Sequence, residues 1–198
     1  MPIIELTVSE RIRESTLEKH REAEEVLMSI LRKIRTREDY NRILECFYGF
    51  FQPLQLQIRR YIHPQDLPDI DERRTSDLLL CDLQSLGSGT ETLPICHRLP
   101  RISNKVQAFG ALYVLEGSTL GGRVISKMLA GGSSSYLFKH VLHFFNGYGD
   151  KTGSKWKTFI EVLNLQPDEE EMINSARETF TLFKNWLNHL ISDDGYSK

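Results

Sequence analysis

The sequence predicts an all-α protein, about seven helices in one domain spanning residues 1–198. Three observations carry that expectation. Apolar residues recur in steps of three and four along most of the chain, as one face of a helix requires. Threonine or serine stands before several of these runs, where a side-chain oxygen can cap free helical amides. No segment alternates apolar and polar residues in the manner of a half-buried strand.

The elements follow in order. Thr7 and Glu10 fit a capping box, and the helix behind them runs to about Ile34. Its inner face reads Ile12, Thr16, His20, Ala23, Leu27, Ile30 and Ile34. Thr36 caps a second helix, roughly Glu38–Ile62, with an aromatic run at Phe47, Tyr48, Phe50 and Phe51 that is either core or the wall of a pocket. Pro53 lies inside it and should kink it. After a polar connector at Asp66–Ile70, a short helix of about Glu72–Leu86 ends at Gly87. Ser88–Ile102 reads as a loop. Ser103 caps the long segment around which the rest is organised, Ala108–Met128, and Gly131-Gly132 ends it. A helix from Ser135 to about Phe145, a turn at Asn146–Asp150 and a helix of about Ser154–Asn164 come next. Pro167 takes the first position of the last helix, followed by the acidic turn Asp168–Glu171. That helix runs to about Ile191, with Ile173, Ala176, Phe180, Phe183, Leu187 and Leu190 inward.

Composition excludes several classes. A net charge of −2 gives no electrostatic case for nucleic acid. No apolar run approaches the roughly 20 residues of a membrane span. The start lacks a basic segment followed by an apolar one, so no signal peptide is expected. Cys46, Cys81 and Cys96 are odd in number and form no CxxC pair, which argues against a disulfide framework or a zinc site. A reduced, cytoplasmic protein is expected, binding neither nucleic acid nor membrane.

The long segment holds the chemistry. It carries Gly110, Gly117, Gly121 and Gly122, and each glycine costs a helix roughly 1 kcal/mol relative to alanine. Gly110, Gly117 and Gly121 share one face, a bare strip that admits close approach by another helix or by a flat ligand. Ser118 and Thr119 sit within it, and their hydroxyls can bond back to carbonyls about four residues earlier. His20 falls on the apolar stripe of the first helix. It is either a core histidine bonded to a carbonyl or a metal ligand whose other ring nitrogen faces Glu24. Lys155 and Lys157 near a helix start suit an anionic partner, or are simply solvated. His140 and His143 have no third ligand nearby and read as ordinary amphipathic residues. GSTLGG lies inside a helix, which is the wrong context for a phosphate cradle.

ALYVLEGSTLGG closely resembles the distal helix of bacterial haem oxygenases, especially those found with bacteriophytochromes. RESTLEKHREAEE resembles the proximal helix with its Thr-x-x-x-His, FYGFFQPL the second helix, and FFNGYGDKTGSKWKTF and ARETFTLFKNWL the C-terminal segments. The resemblance implies a haem-oxygenase-like bundle with haem sandwiched between proximal and distal helices. His20 would ligate the iron, with Glu24 on its other nitrogen and Thr16 one turn away. Gly117, Gly121 and Gly122 would let the distal helix approach the ring. Arg13 and Lys157 would meet the propionates, and Tyr113 would contact the pocket. Ser118 stands where the animal-type pattern places a proton-delivering aspartate, and Arg123 where a glutamine is frequent.

The activity so implied is cleavage of haem (iron protoporphyrin IX, both cofactor and substrate) to biliverdin, CO and ferrous iron. It would use O2 and electrons from an external reductase or ferredoxin, with a bacteriophytochrome as biliverdin acceptor. The alternatives are a non-catalytic binder of haem or another tetrapyrrole, and a helical interaction protein whose glycines only pack helices.

Overall fold

The computed structural model describes residues 6–131, 138 and 141–192, the last three by backbone alone. These residues form α1 (Val8–Leu31), α2 (Arg37–Ile58), α3 (Asp77–Ser85), α4 (Lys105–Gly131), α5 (His143–Asn146), α6 (Thr152–Leu163) and α7 (Glu169–Ser192). Single 3-10 turns at Ile70–Glu72 and Gly149–Lys151 complete them, and no strand occurs among the described residues. The all-α expectation is met. None of these helices is long and apolar enough to cross a membrane.

Local chemistry starts and stops the elements. Thr7–Glu10 and Thr36–Asp39 both form complete capping boxes. Gly87 ends the third helical segment at φ +78°, a left-handed conformation that glycine adopts without strain. Pro53 removes the amide that would bond the Gly49 carbonyl, and the Cys96 amide from the long loop takes its place at 2.8 Å. A Cβ on Gly49 would lie 2.3 Å from the Pro94 carbonyl oxygen, so the loop crosses α2 where a proline and a glycine leave room.

Several boundaries differ from expectation. α1 and α2 stop three to four residues early, in turns bonded from residue i to i+3. The helix expected over Glu72–Leu86 is broken at residues 73–76, because distant side chains take its backbone bonds. Tyr148 Oη accepts the Arg74 amide at 2.8 Å, Gln55 Oε1 accepts the Ser76 amide at 2.8 Å, and Gln55 Nε2 donates to the Arg74 carbonyl at 2.9 Å. Asn104, not Ser103, caps α4: its Oδ1 accepts the Gln107 amide at 2.9 Å, while Gln107 Oε1 takes the Ser103 amide at 2.7 Å. Pro167 does not begin α7, because Asp168 intervenes at φ +55°.

α5 is a single turn that borrows its cap from α3. Buried Asp82 accepts the amides of His143 and Phe144 at 3.1 and 3.0 Å and faces His143 Nδ1 at 2.6 Å. Ser135, Gly132 and His140 lie outside the described residues, and Leu190 outside the described side chains.

The aromatic run of α2 is core. Phe47, Phe50 and Phe51 meet Phe144, Phe145 and Phe183 at ring separations of 5.1–5.8 Å. α7 is the axis of the bundle, with α1 and α4 running along it. Arg177 Nε donates to the Ser15 carbonyl of α1, and Ser175 Oγ to the Gln107 carbonyl of α4. Two positions apart, about 200° around the helix, these residues place α1 and α4 on different sides of α7.

Candidate functional site

The glycines of α4 meet different neighbours. A Cβ on Gly110 would stand 2.3 Å from the Met172 carbonyl oxygen and 2.9 Å from Ser175 Cβ, so Gly110 is where α4 crosses α7. A Cβ on Gly122 would stand 2.6 Å from the Phe145 carbonyl oxygen, so Gly122 seats α5. A Cβ on Gly117 would reach only ordinary contact, 3.8 Å from the Trp156 ring, and one on Gly121 would meet nothing within 4 Å. Around Gly121, Leu120 and Val124 are 41% and 67% exposed. One face of α4 is therefore apolar, bare and uncovered. Tyr113 extends that face, its ring 5.6 Å from Trp156. Burial raises the Tyr113 pKa, and Arg13 of α1 opposes that rise, which places Arg13 within electrostatic range.

His20 lies on α1 with its side chain 46% exposed, so it is not the buried core histidine that the stripe allowed. Its ring stands 5.1 Å from that of Phe180 on α7, and its Nε2 stands 3.2 Å from Glu24 Oε1. A carboxylate on one imidazole nitrogen leaves the other for a metal. Thr16 is buried, and its hydroxyl is spent on the Ile12 carbonyl at 2.7 Å. Lys157 is 80% exposed and 3.9 Å from Glu161. Lys155 is bound to Asp69 and Glu72 at 3.0 and 2.8 Å, which accounts for its position without an external anion.

Behind the bare face lies a buried polar cluster that the sequence reading does not contain. Glu116 is 3% exposed and pairs with Arg73 Nη1 at 2.6 Å, while Tyr148 Oη donates to its two oxygens at 3.0 and 3.1 Å. Burial alone would lower the Arg73 pKa, but Glu116 and Asp69 outweigh it and hold Arg73 above its usual value. Burial lowers Arg74 to about 10. Arg74 Nη2 donates to the Leu115 carbonyl at 2.9 Å and to Ser118 Oγ at 2.5 Å. Ser118 in turn donates to the Leu115 carbonyl at 2.6 Å, and Thr119 to the Glu116 carbonyl at 2.7 Å. Both hydroxyls bond three residues back, one fewer than expected. The available signal was Glu116, one acid within an otherwise apolar and small-residue run, together with the adjacent Arg73-Arg74.

A separate cleft lies elsewhere among the described residues. It encloses about 690 Å³ near the starts of α4 and α7 and is lined by Asp168, Glu170, Glu171 and Glu178. Those carboxylates would repel an anionic apolar ring. The α1–α4 side offers the opposite chemistry: an imidazole, exposed aliphatic side chains, Arg13 and a bare helix backbone. No cluster of three or more metal-ligating side chains occurs among the described residues, so a metal there would be brought by a ligand that supplies its other donors.

Comparison with known proteins bears on this arrangement. A family model described as Heme oxygenase matches residues 80–189, more than half of the chain. A Heme oxygenase of Xanthomonas campestris pv. campestris (strain 8004) is 37% identical over 92 residues, 46% of this chain. The match spans about half of that relative, 51% of its length. The NO- and CO-bound heme oxygenase of Neisseria meningitidis has a similar structure, with a TM-score of 0.79 at 26% identity over 96% of each chain. Heme oxygenase from Leptospira interrogans shares the fold, with a TM-score of 0.74 at 17% identity over 93% of this chain and 100% of that one.

Proposed function

This chain belongs to the haem oxygenase family, and on that premise we propose that it cleaves haem to biliverdin, CO and ferrous iron. The observation that carries the reading is one juxtaposition along α7. An exposed imidazole with a carboxylate on one nitrogen lies on one side, and the uncovered glycine face of α4 on the other. The open space at Gly121 and the exposed Leu120 and Val124 fit a flat apolar ring.

Bound haem supplies the iron at which O2 and electrons meet, and the ring that is oxidised. The chain's residues do the rest. His20, as a neutral imidazole, holds the iron, and Glu24 fixes its tautomer. Gly117 and Gly121 let the α4 backbone lie against the ring. Leu120 and Val124, with Leu17 exposed on α1 one turn before His20, exclude water from its faces, while Arg13 and Lys157 pair with propionates. Gly122 serves the same approach indirectly, by letting α5 support α4. Thr16 steadies α1 beneath His20. Electrons come from a separate reductase or ferredoxin, and a bacteriophytochrome is a suitable acceptor of the product.

A second reading, a haem binder without turnover, is favoured by one observation. The Ser118 hydroxyl is already committed to Leu115 and Arg74. The two readings separate when haem, a reductant and O2 are given to the protein and the visible spectrum is followed. Loss of the Soret band with growth of a biliverdin band is the expected result. A Soret band that persists assigns the protein to the second reading.

A further inference from the structure

We propose that Arg74 is a positioning residue for ring opening, holding the Ser118 oxygen while leaving its proton free to turn toward the open face of α4. The inference rests on the catalytic reading above.

Arg74 is buried, yet no carboxylate among the described residues pairs with it. The nearby Glu116 is taken by Arg73 and Tyr148. The Arg74 guanidinium instead bonds neutral oxygens: the Leu115 carbonyl at 2.9 Å, the Phe144 carbonyl at 3.4 Å and Ser118 Oγ at 2.5 Å. It also lies 4.1 Å from the centre of the Phe144 ring. Burying a cation costs several kcal/mol unless hydrogen bonds compensate, and Ser118 Oγ is one of the three oxygens that compensate here.

The Leu115 carbonyl has two donors, Ser118 Oγ at 2.6 Å and Arg74 Nη2 at 2.9 Å. Ser118 can therefore swing its O–H away without leaving that buried carbonyl unbonded. Its oxygen stays anchored by the guanidinium, and the adjacent positive charge makes the hydroxyl a stronger donor. Reduction of O2 consumes protons together with the electrons from the redox donor. Ser118 gives one proton and regains one through water that exchanges protons with bulk solvent, so solvent is the net source and the protein is unchanged. A cavity of about 300 Å³ behind α4, walled in part by Arg73, Arg74 and Glu116, has room for water on the Arg74 side of the pair.

The test loads the protein with haem, reduces it and adds CO. The C–O stretch of the complex reads hydrogen bonding on the α4 side without requiring turnover. Ser118→Ala and Arg74→Leu should move the stretch to higher wavenumber by similar amounts. The double variant should move it no further, and Arg74→Lys should restore part of the shift. The rate of biliverdin formation should fall about 10- to 100-fold in Ser118→Ala and Arg74→Leu, with haem affinity retained. Ser118→Ala keeps the Arg74 bonds to Leu115 and Phe144, so it tests the hydroxyl even where Arg74→Leu fails to fold. An unchanged stretch and rate in Ser118→Ala overturns the proposal, as do additive shifts in the double variant. A wild type that holds haem and forms no biliverdin overturns the catalytic reading itself, a result the Ser118 comparison cannot produce.

Discussion

Apart from Gly131 at its last position, the glycines of α4 divide into two pairs that share a helix and a residue type but differ in what faces them. Gly110 and Gly122 are filled positions, each pressed by a backbone carbonyl of another helix. Gly117 and Gly121 are unfilled: one touches the edge of an indole, the other nothing. Helix packing therefore explains the first pair and leaves the second unexplained. A glycine that costs a helix about 1 kcal/mol and packs against nothing is accounted for by a ligand that must come close.

The pairs should separate under alanine substitution. Gly110→Ala has the largest expected effect, because a Cβ 2.3 Å from the Met172 carbonyl oxygen forces α4 from α7. A loss of about 1–3 kcal/mol in denaturant unfolding is expected, and Gly122→Ala should fall in the same direction. Gly121→Ala should do the reverse, raising the stability of the haem-free protein by about 1 kcal/mol while weakening haem binding. A destabilised Gly121→Ala would dissolve the distinction between the pairs. Gly117→Ala should lie between, gaining under about 1 kcal/mol, since its Cβ makes only ordinary contact with Trp156. Thermal melts of the haem-free variants, followed by haem titration, check all four.

Much of this was legible in the sequence. The helices are read from their periodicity, and Thr7, Thr36 and Gly87 act locally as caps and a stop, because the groups they bond are close in the chain. The break at residues 73–76 was not legible, since the bonds that replace the helix come from Gln55 and Tyr148. The Arg73–Glu116 pair joins residues 43 positions apart, and no local pattern announces it. The stripe of α1 placed His20 in line with buried Thr16 and Ala23, but spacing does not reveal what lies opposite. There the core gives way to the edge of Phe180 and open space, so His20 is half exposed. The glycine stripe was legible as a strip, but its division into filled and unfilled halves required the positions of α5, α6 and α7.

The most direct test of the account is a haem titration followed at the Soret band, in wild type and in His20→Ala. The account predicts saturation at one haem per chain with a histidine-ligated spectrum, and loss of that spectrum in the variant. Titration without saturation, or an identical ligated spectrum in His20→Ala, would contradict it.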